Sequence, residues 1–134
     1  MDNLSKEKVE EYRKAAEQGD AEAQNKLGFM YHTGRGVAED AAEAVKWYRK
    51  AAEQGHALAQ ATLGASYSVG RSVPKDDVAA YAWLSQAAGS HVPNTRLYRD
   101  NIKQKLTPTQ LEKGEALARE ISERIKKRKA AEAE

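Results

Sequence analysis

Cysteine is absent from this chain, which excludes disulfide staples, thiolate metal sites and cysteine nucleophiles. Phenylalanine occurs once, proline three times, and aromatic residues make up only 7% of 134 residues. With 40% apolar content and abundant Ala and Glu, that scarcity suits helices packed through small side chains better than a β-sandwich. No apolar run approaches the ~18 residues of a membrane span. The opening Met1-Asp2-Asn3-Leu4-Ser5-Lys6 lacks the apolar core of a secretory signal. The chain is therefore expected to be soluble, cytoplasmic if its N-terminus is native and periplasmic if a leader has been removed. A dominant charge sign is also missing: 22 basic and 20 acidic side chains give +2. No strong bulk attraction to polyanions follows. The balance shifts along the chain, from 9 basic and 11 acidic residues in 1–56 to 13 and 9 in 57–134.

What is present is repetition. Tyr12-Arg13-Lys14-Ala15-Ala16-Glu17-Gln18-Gly19 returns 36 residues later as Tyr48-Arg49-Lys50-Ala51-Ala52-Glu53-Gln54-Gly55. Leu27-Gly28 returns as Leu63-Gly64, Tyr31 as Tyr67, Gly34-Arg35 as Gly70-Arg71, Asp40 as Asp76 and Trp47 as Trp83. Residues 12–47 and 48–83 agree at 20 of 36 positions. A third copy opens at Leu84 with Ala87-Ala88 in register and loses the pattern after Gly89. A fixed period of roughly 20–50 residues signals a stacked array.

Local signals divide each copy into two helices. Leu4, Val9, Tyr12 and Ala16 lie toward one side of a first helix over about 5–17. Gly19 ends it at a position that favours the left-handed conformation. Asp20 caps a second helix to about Thr33, with Ala23, Leu27, Met30 and Tyr31 inward. Asp40 caps a third, to about Gln54, with Glu43 completing a capping-box pattern. The second copy repeats this over roughly 57–69 and 77–88. Gly28 and Gly64 interrupt helices at a cost of about 1 kcal/mol each relative to Ala, which marks them as points of close helix approach. Beyond Gly89 the spacing predicts a short helix over 93–105, with Leu97, Tyr98 and Ile102 inward. Thr107-Pro108-Thr109-Gln110 then starts a closing helix with Leu111, Gly114, Ala118, Ile121 and Ile125 on one stripe. The run Lys126-Lys127-Arg128-Lys129 and the residues after it are expected to fray. The reading is one domain, divided as 5–19, 20–55, 56–91 and 92–130. The well-capped closing helix suggests a genuine C-terminus, whereas the chain opens in what resembles the second helix of a unit without its first.

These residues, from Ala23-Gln24 through Leu27-Gly28, Tyr31, Gly34-Arg35-Gly36-Val37, Asp40 and Ala44 to Trp47-Tyr48-Arg49-Lys50-Ala51-Ala52-Glu53-Gln54-Gly55, resemble a Sel1-like repeat, the 36-residue relative of the tetratricopeptide repeat. The resemblance covers residues 12–88. Residues 82–100 and 106–111 are similar to the closing segment of many bacterial members, with Gly114 where alanine is expected. The resemblance implies an all-α, right-handed α-α superhelix of about seven helices with a C-terminal capping helix. It also implies a non-catalytic scaffold or adaptor that binds protein segments on the concave surface lined by the first helix of each unit. The missing cysteines separate this chain from the cysteine-rich members described as penicillin-binding or β-lactamase-like.

Positions that recur between copies serve the fold, so a partner is sought at positions that differ. On the first helix of each unit the outward differences include Glu22 against Leu58, Asn25 against Ala61, Phe29 against Ala65 and His32 against Ser68. Asn25, Phe29 and His32 share one face, as do Ala61, Ala65 and Ser68. These eight residues form the candidate partner-binding site, with Phe29 as anchor because aromatic residues dominate binding hot spots. The alternative is that Phe29 packs against the preceding helix as core. No catalytic, cofactor or metal site is expected: His32, His56 and His91 fall in separate contexts, and Gly34-Arg35-Gly36 is the repeat's own turn rather than a phosphate loop. His56, after a helix-ending glycine, is expected to face solvent. Arg35 and Arg71 are expected to bond nearby carbonyls or acidic caps. The basic run at 124–129 is diluted by Glu120, Glu123, Glu132 and Glu134, so a nucleic-acid partner is not expected. A protein or peptide partner is, and the second reading is a self-associating unit, monomer or weak homo-oligomer, or a piece of a larger array.

Overall fold

Residues 5–134 are described by a computed structural model; Leu4, expected on the inner face of the first helix, lies outside them. Seven helices and no strand occur among the described residues: α1 Lys6–Glu17, α2 Ala21–Thr33, α3 Ala41–Ala52, α4 Ala57–Val69, α5 Asp77–Ala87, α6 Thr95–Lys103 and α7 Pro108–Glu132. They form an α-α solenoid in which α1 to α6 each pack mainly on their neighbours in sequence, as helices joined by short turns do, while α7 packs on α5.

The predicted caps set the boundaries. Asp20, Asp40 and Asp76 each accept a hydrogen bond from the backbone N–H three residues on, satisfying an otherwise orphan donor. Thr107 and Gln110 form both halves of a capping box, with Pro108 in the first turn. At Asp40 only the first half forms.

The glycines inside α2 and α4 lie where helices touch. A Cβ at Gly28 would sit 2.9 Å from the Tyr48 ring and 3.2 Å from the Ala44 carbonyl oxygen; at Gly64 it would sit 2.8 Å from Leu84 Cγ. Each approach seats the first helix of a unit on its second. Val9, Ala16, Ala23, Leu27 and Met30 pack around Trp47, and Ala51, Ala52, Ala59 and Leu63 pack around Trp83.

A buried polar bond is repeated with the helices. Gln24 Nε2 donates to the Ala16 carbonyl at 3.0 Å, and Gln60 Nε2 donates to the Ala52 carbonyl at 3.1 Å. In α6 the Thr95 hydroxyl donates to the Ala87 carbonyl at 3.3 Å. That bond shows α6 standing where the first helix of a third unit would stand, one residue out of register.

The end of the chain departs from expectation in two ways. Only Thr95 and Ile102 of α6 are buried, whereas Leu97 and Tyr98 are 56% and 52% exposed rather than inward. The physical reason is the course of α7. Instead of pairing with α6, it packs beside α5, with Gly114 against Tyr81 and the Ala118 carbonyl accepting from Gln86 Nε2 at 2.7 Å. It then reaches the α3–α4 turn, where Ile121 and Ile125 join the cluster around Trp83. The second departure is that α7 stays helical through the basic run to Glu132. Ala, Glu, Lys and Arg all favour helix, Arg124 pairs with Glu53 at 2.9 Å, and Lys129 lies over Gly55.

Candidate functional site

Between α2 and α4 runs an open groove of about 610 Å³, lined by Tyr12, Glu22, Asn25, Lys26, Phe29, Met30, His32, Arg35, Tyr48, Leu58 and Thr62. It continues into a smaller cavity of about 290 Å³ that shares His32, Tyr48 and Thr62 and adds Ala65, Val69 and Arg71. The walls follow from the repeat: α2 and α4 carry the same core sequence facing inward, so their divergent residues face each other across the gap.

Of the eight candidate residues, Glu22, Asn25, Phe29, His32 and Leu58 line the larger groove, and Ala65 lines the smaller cavity. Phe29 and Leu58 are 46% and 47% exposed, so Phe29 is not core. The Arg35 guanidinium lies 5.9 Å from its ring centroid, in cation–π range, rather than serving only its own turn. Ala61 and Ser68 line neither cavity: Ala61 packs against the cluster around Ala80 and Leu84, and the Ser68 hydroxyl donates to the Ala65 carbonyl of its own helix.

Asn25 corrects the sequence reading. It is 8% exposed rather than outward-facing, and lines the groove from its floor. Its Oδ1 has no hydrogen-bond partner among the described residues, an unusual state for a buried acceptor.

Glu22 and His56 form a contact that the sequence did not reveal. His56 caps α4 in the place where Asp20 caps α2, with Nδ1 accepting from the Ala59 N–H at 3.2 Å. That assigns the proton to Nε2, which lies 2.7 Å from Glu22 Oε2. The contact ties the start of one unit to the start of the next, and the His56 side chain is only 17% exposed rather than facing solvent. The signal was available, since His56 aligns with Asp20 in the repeat.

Two further residues complete the lining. Lys26 lies 5.3 Å from the Tyr12 ring centroid at the groove edge. Tyr48 forms its floor, and burial raises the Tyr48 phenol to about 12, since desolvation disfavours the phenolate.

Two-helix units stacked in register and closed by the same buried glutamine bond define an α-solenoid of the tetratricopeptide type. Residues 12–20, 21–56 and 57–90 match the Sel1 repeat, and the chain belongs to the Sel1 repeat family. Among solved structures, it is similar to a protective antigen of uropathogenic Escherichia coli displaying an SLR fold, with a TM-score of 0.83 and 38% identity over 90% of this chain. It is also similar to a Sel1 repeat protein from Oxalobacter formigenes, with a TM-score of 0.67 and 39% identity over 70% of this chain. The chain spans only 26% and 39% of those two proteins' lengths. No curated protein matches.

Proposed function

We propose that this chain is a non-catalytic adaptor that holds a protein segment in the groove between α2 and α4. Sel1 repeats commonly mediate protein–protein interaction and are generally non-catalytic, which supports the class of function. The observation that carries the site is the pair Phe29 and Leu58. Two large apolar side chains, each about half exposed, face one groove from neighbouring units. Exposed apolar surface framed by polar residues marks interaction sites, and a few such anchors carry most of an interface's energy.

The test is capture from an extract of the native cells by the immobilised chain, compared with a Phe29→Ala/Leu58→Ala double variant. Both positions are exposed, so helicity and unfolding midpoint should be retained. Loss of the captured set supports the groove; an unchanged set rejects it.

Self-association is the second reading, favoured by Leu97 and Tyr98 lying exposed together on α6. Light scattering behind a sizing column, at tens of micromolar, decides it. A strict monomer excludes it, and a dimer abolished by Leu97→Lys supports it.

A further inference from the structure

We infer that the occupant of the α2–α4 groove is an extended peptide segment in which a large apolar side chain is flanked by acidic residues; this rests on the groove being the partner site. Three features of the groove make separate demands. Asn25 Oδ1, buried on the floor without a partner among the described residues, needs an N–H donor. Phe29 and Leu58, each about half exposed, need an apolar side chain to cover them. The third demand is electrostatic. Glu22, the one carboxylate among the described residues lining the groove, is held at His56 at 2.7 Å and is outnumbered by Lys26 and Arg35 in the same lining, and Arg71 lines the adjoining cavity.

An extended peptide meets all three demands at once. Its backbone supplies N–H groups at regular spacing, one side chain fills the apolar section, and neighbouring carboxylates lie within reach of the rim cations. Lys26 and Arg71 belong to different units and line different ones of the two joined cavities, so more than one carboxylate around the anchor is favoured. A basic peptide of the same shape would set its charges against these cations, and like-charge contacts are strongly disfavoured at interfaces.

The test uses three fluorescently labelled twelve-residue peptides and anisotropy titration. The first has a central Leu-Phe pair flanked by Asp and Glu, the second the same pair flanked by Lys, and the third acidic flanks around Ala-Ala. The first should bind about tenfold more tightly than either other, a difference of about 1.4 kcal/mol. The margin over the second should shrink between 50 and 500 mM salt as the rim charges are screened. Lys26→Glu, an exposed change, should weaken the first peptide and strengthen the second. If the first two bind equally and Phe29→Ala abolishes both, the acidic preference is wrong and the groove stands. If Phe29→Ala/Leu58→Ala leaves binding of the first peptide intact, the groove assignment itself is wrong. Failure of the folded chain to bind the first peptide at millimolar concentration overturns the inference.

Discussion

A methyl group added at position 28 would meet the Tyr48 ring and, 3.2 Å away, the Ala44 carbonyl oxygen. The ring could turn aside, but the carbonyl belongs to the α3 backbone. Alanine would gain about 1 kcal/mol of helix propensity, and overpacking of this kind costs about 1–3 kcal/mol. Gly28→Ala should therefore gain nothing and destabilise by up to about 2 kcal/mol in urea titration, and the same change on an open helix face would stabilise. Sequence alone pointed to this contact, because a glycine that interrupts a helix in both copies weakens that helix twice, a cost that close packing offsets. Gly114 is the third case. The alanine expected there would come 2.8 Å from Tyr81 Cδ1, so this chain has a tyrosine and a glycine that fit each other.

His56 and Tyr48 give two more predictions at this scale. Losing the cap in His56→Ala should cost about 1 kcal/mol. His56→Asp restores a capping oxygen but sets a carboxylate against Glu22, so it should be recovered further by Glu22→Gln; urea midpoints of the three variants check this. For Tyr48, the folded state holds the phenolic proton more tightly than the unfolded chain does, with its phenol at about 12 against an ordinary 10.0. That contribution is fully present below pH 10 and is lost as pH rises from 10 toward 12. Tyr48→Phe should accordingly flatten the alkaline loss of stability measured between pH 8 and 11.5.

At the scale of elements, the helices inside the repeat were legible to within a residue or two, because glycine turns separate them and aspartates cap α2, α3 and α5, with α4 placed by its register against α2. The two C-terminal helices were legible in existence but not in contact. The spacing of Leu97, Tyr98 and Ile102 fits an inward stripe only if a partner helix lies outside α6. Where α7 would pack is a tertiary choice that periodicity does not encode. The persistence of α7 beyond Lys126 has the same origin, since Glu53 and Gly55, its supports, lie far back in the chain. The strongest test of its role is Ile121→Ala. Ile121 is 1% exposed in the cluster around Trp83, and such truncations cost about 2–5 kcal/mol. Arg124→Ala, which removes only a partly exposed ion pair, should cost no more than about 1 kcal/mol.

For the molecule as a whole, the candidate site was half legible. Comparing the two copies found Phe29 and the groove wall, since a residue the fold does not require stands out against its repeat. It misjudged Asn25, because a helical wheel gives direction around one axis and not the depth at which the neighbouring helix lies. Stability in an open solenoid is a sum of units and nearest-neighbour interfaces. Here α7 touches α5 and the α3–α4 turn together, adding a link that spans units.

The duplication has also left one indole in each half: Trp47 lies in the cluster built by α1, α2 and α3, and Trp83 in the one under α7. Single-tryptophan versions, made by Trp47→Phe or Trp83→Phe, turn the chain into its own two-channel thermometer. With α7 seated, both channels should report one urea midpoint. With Ile121→Ala the Trp83 signal should melt first and the Trp47 signal lag behind, which would show that the two halves are joined through the returning helix rather than through the repeat interface alone.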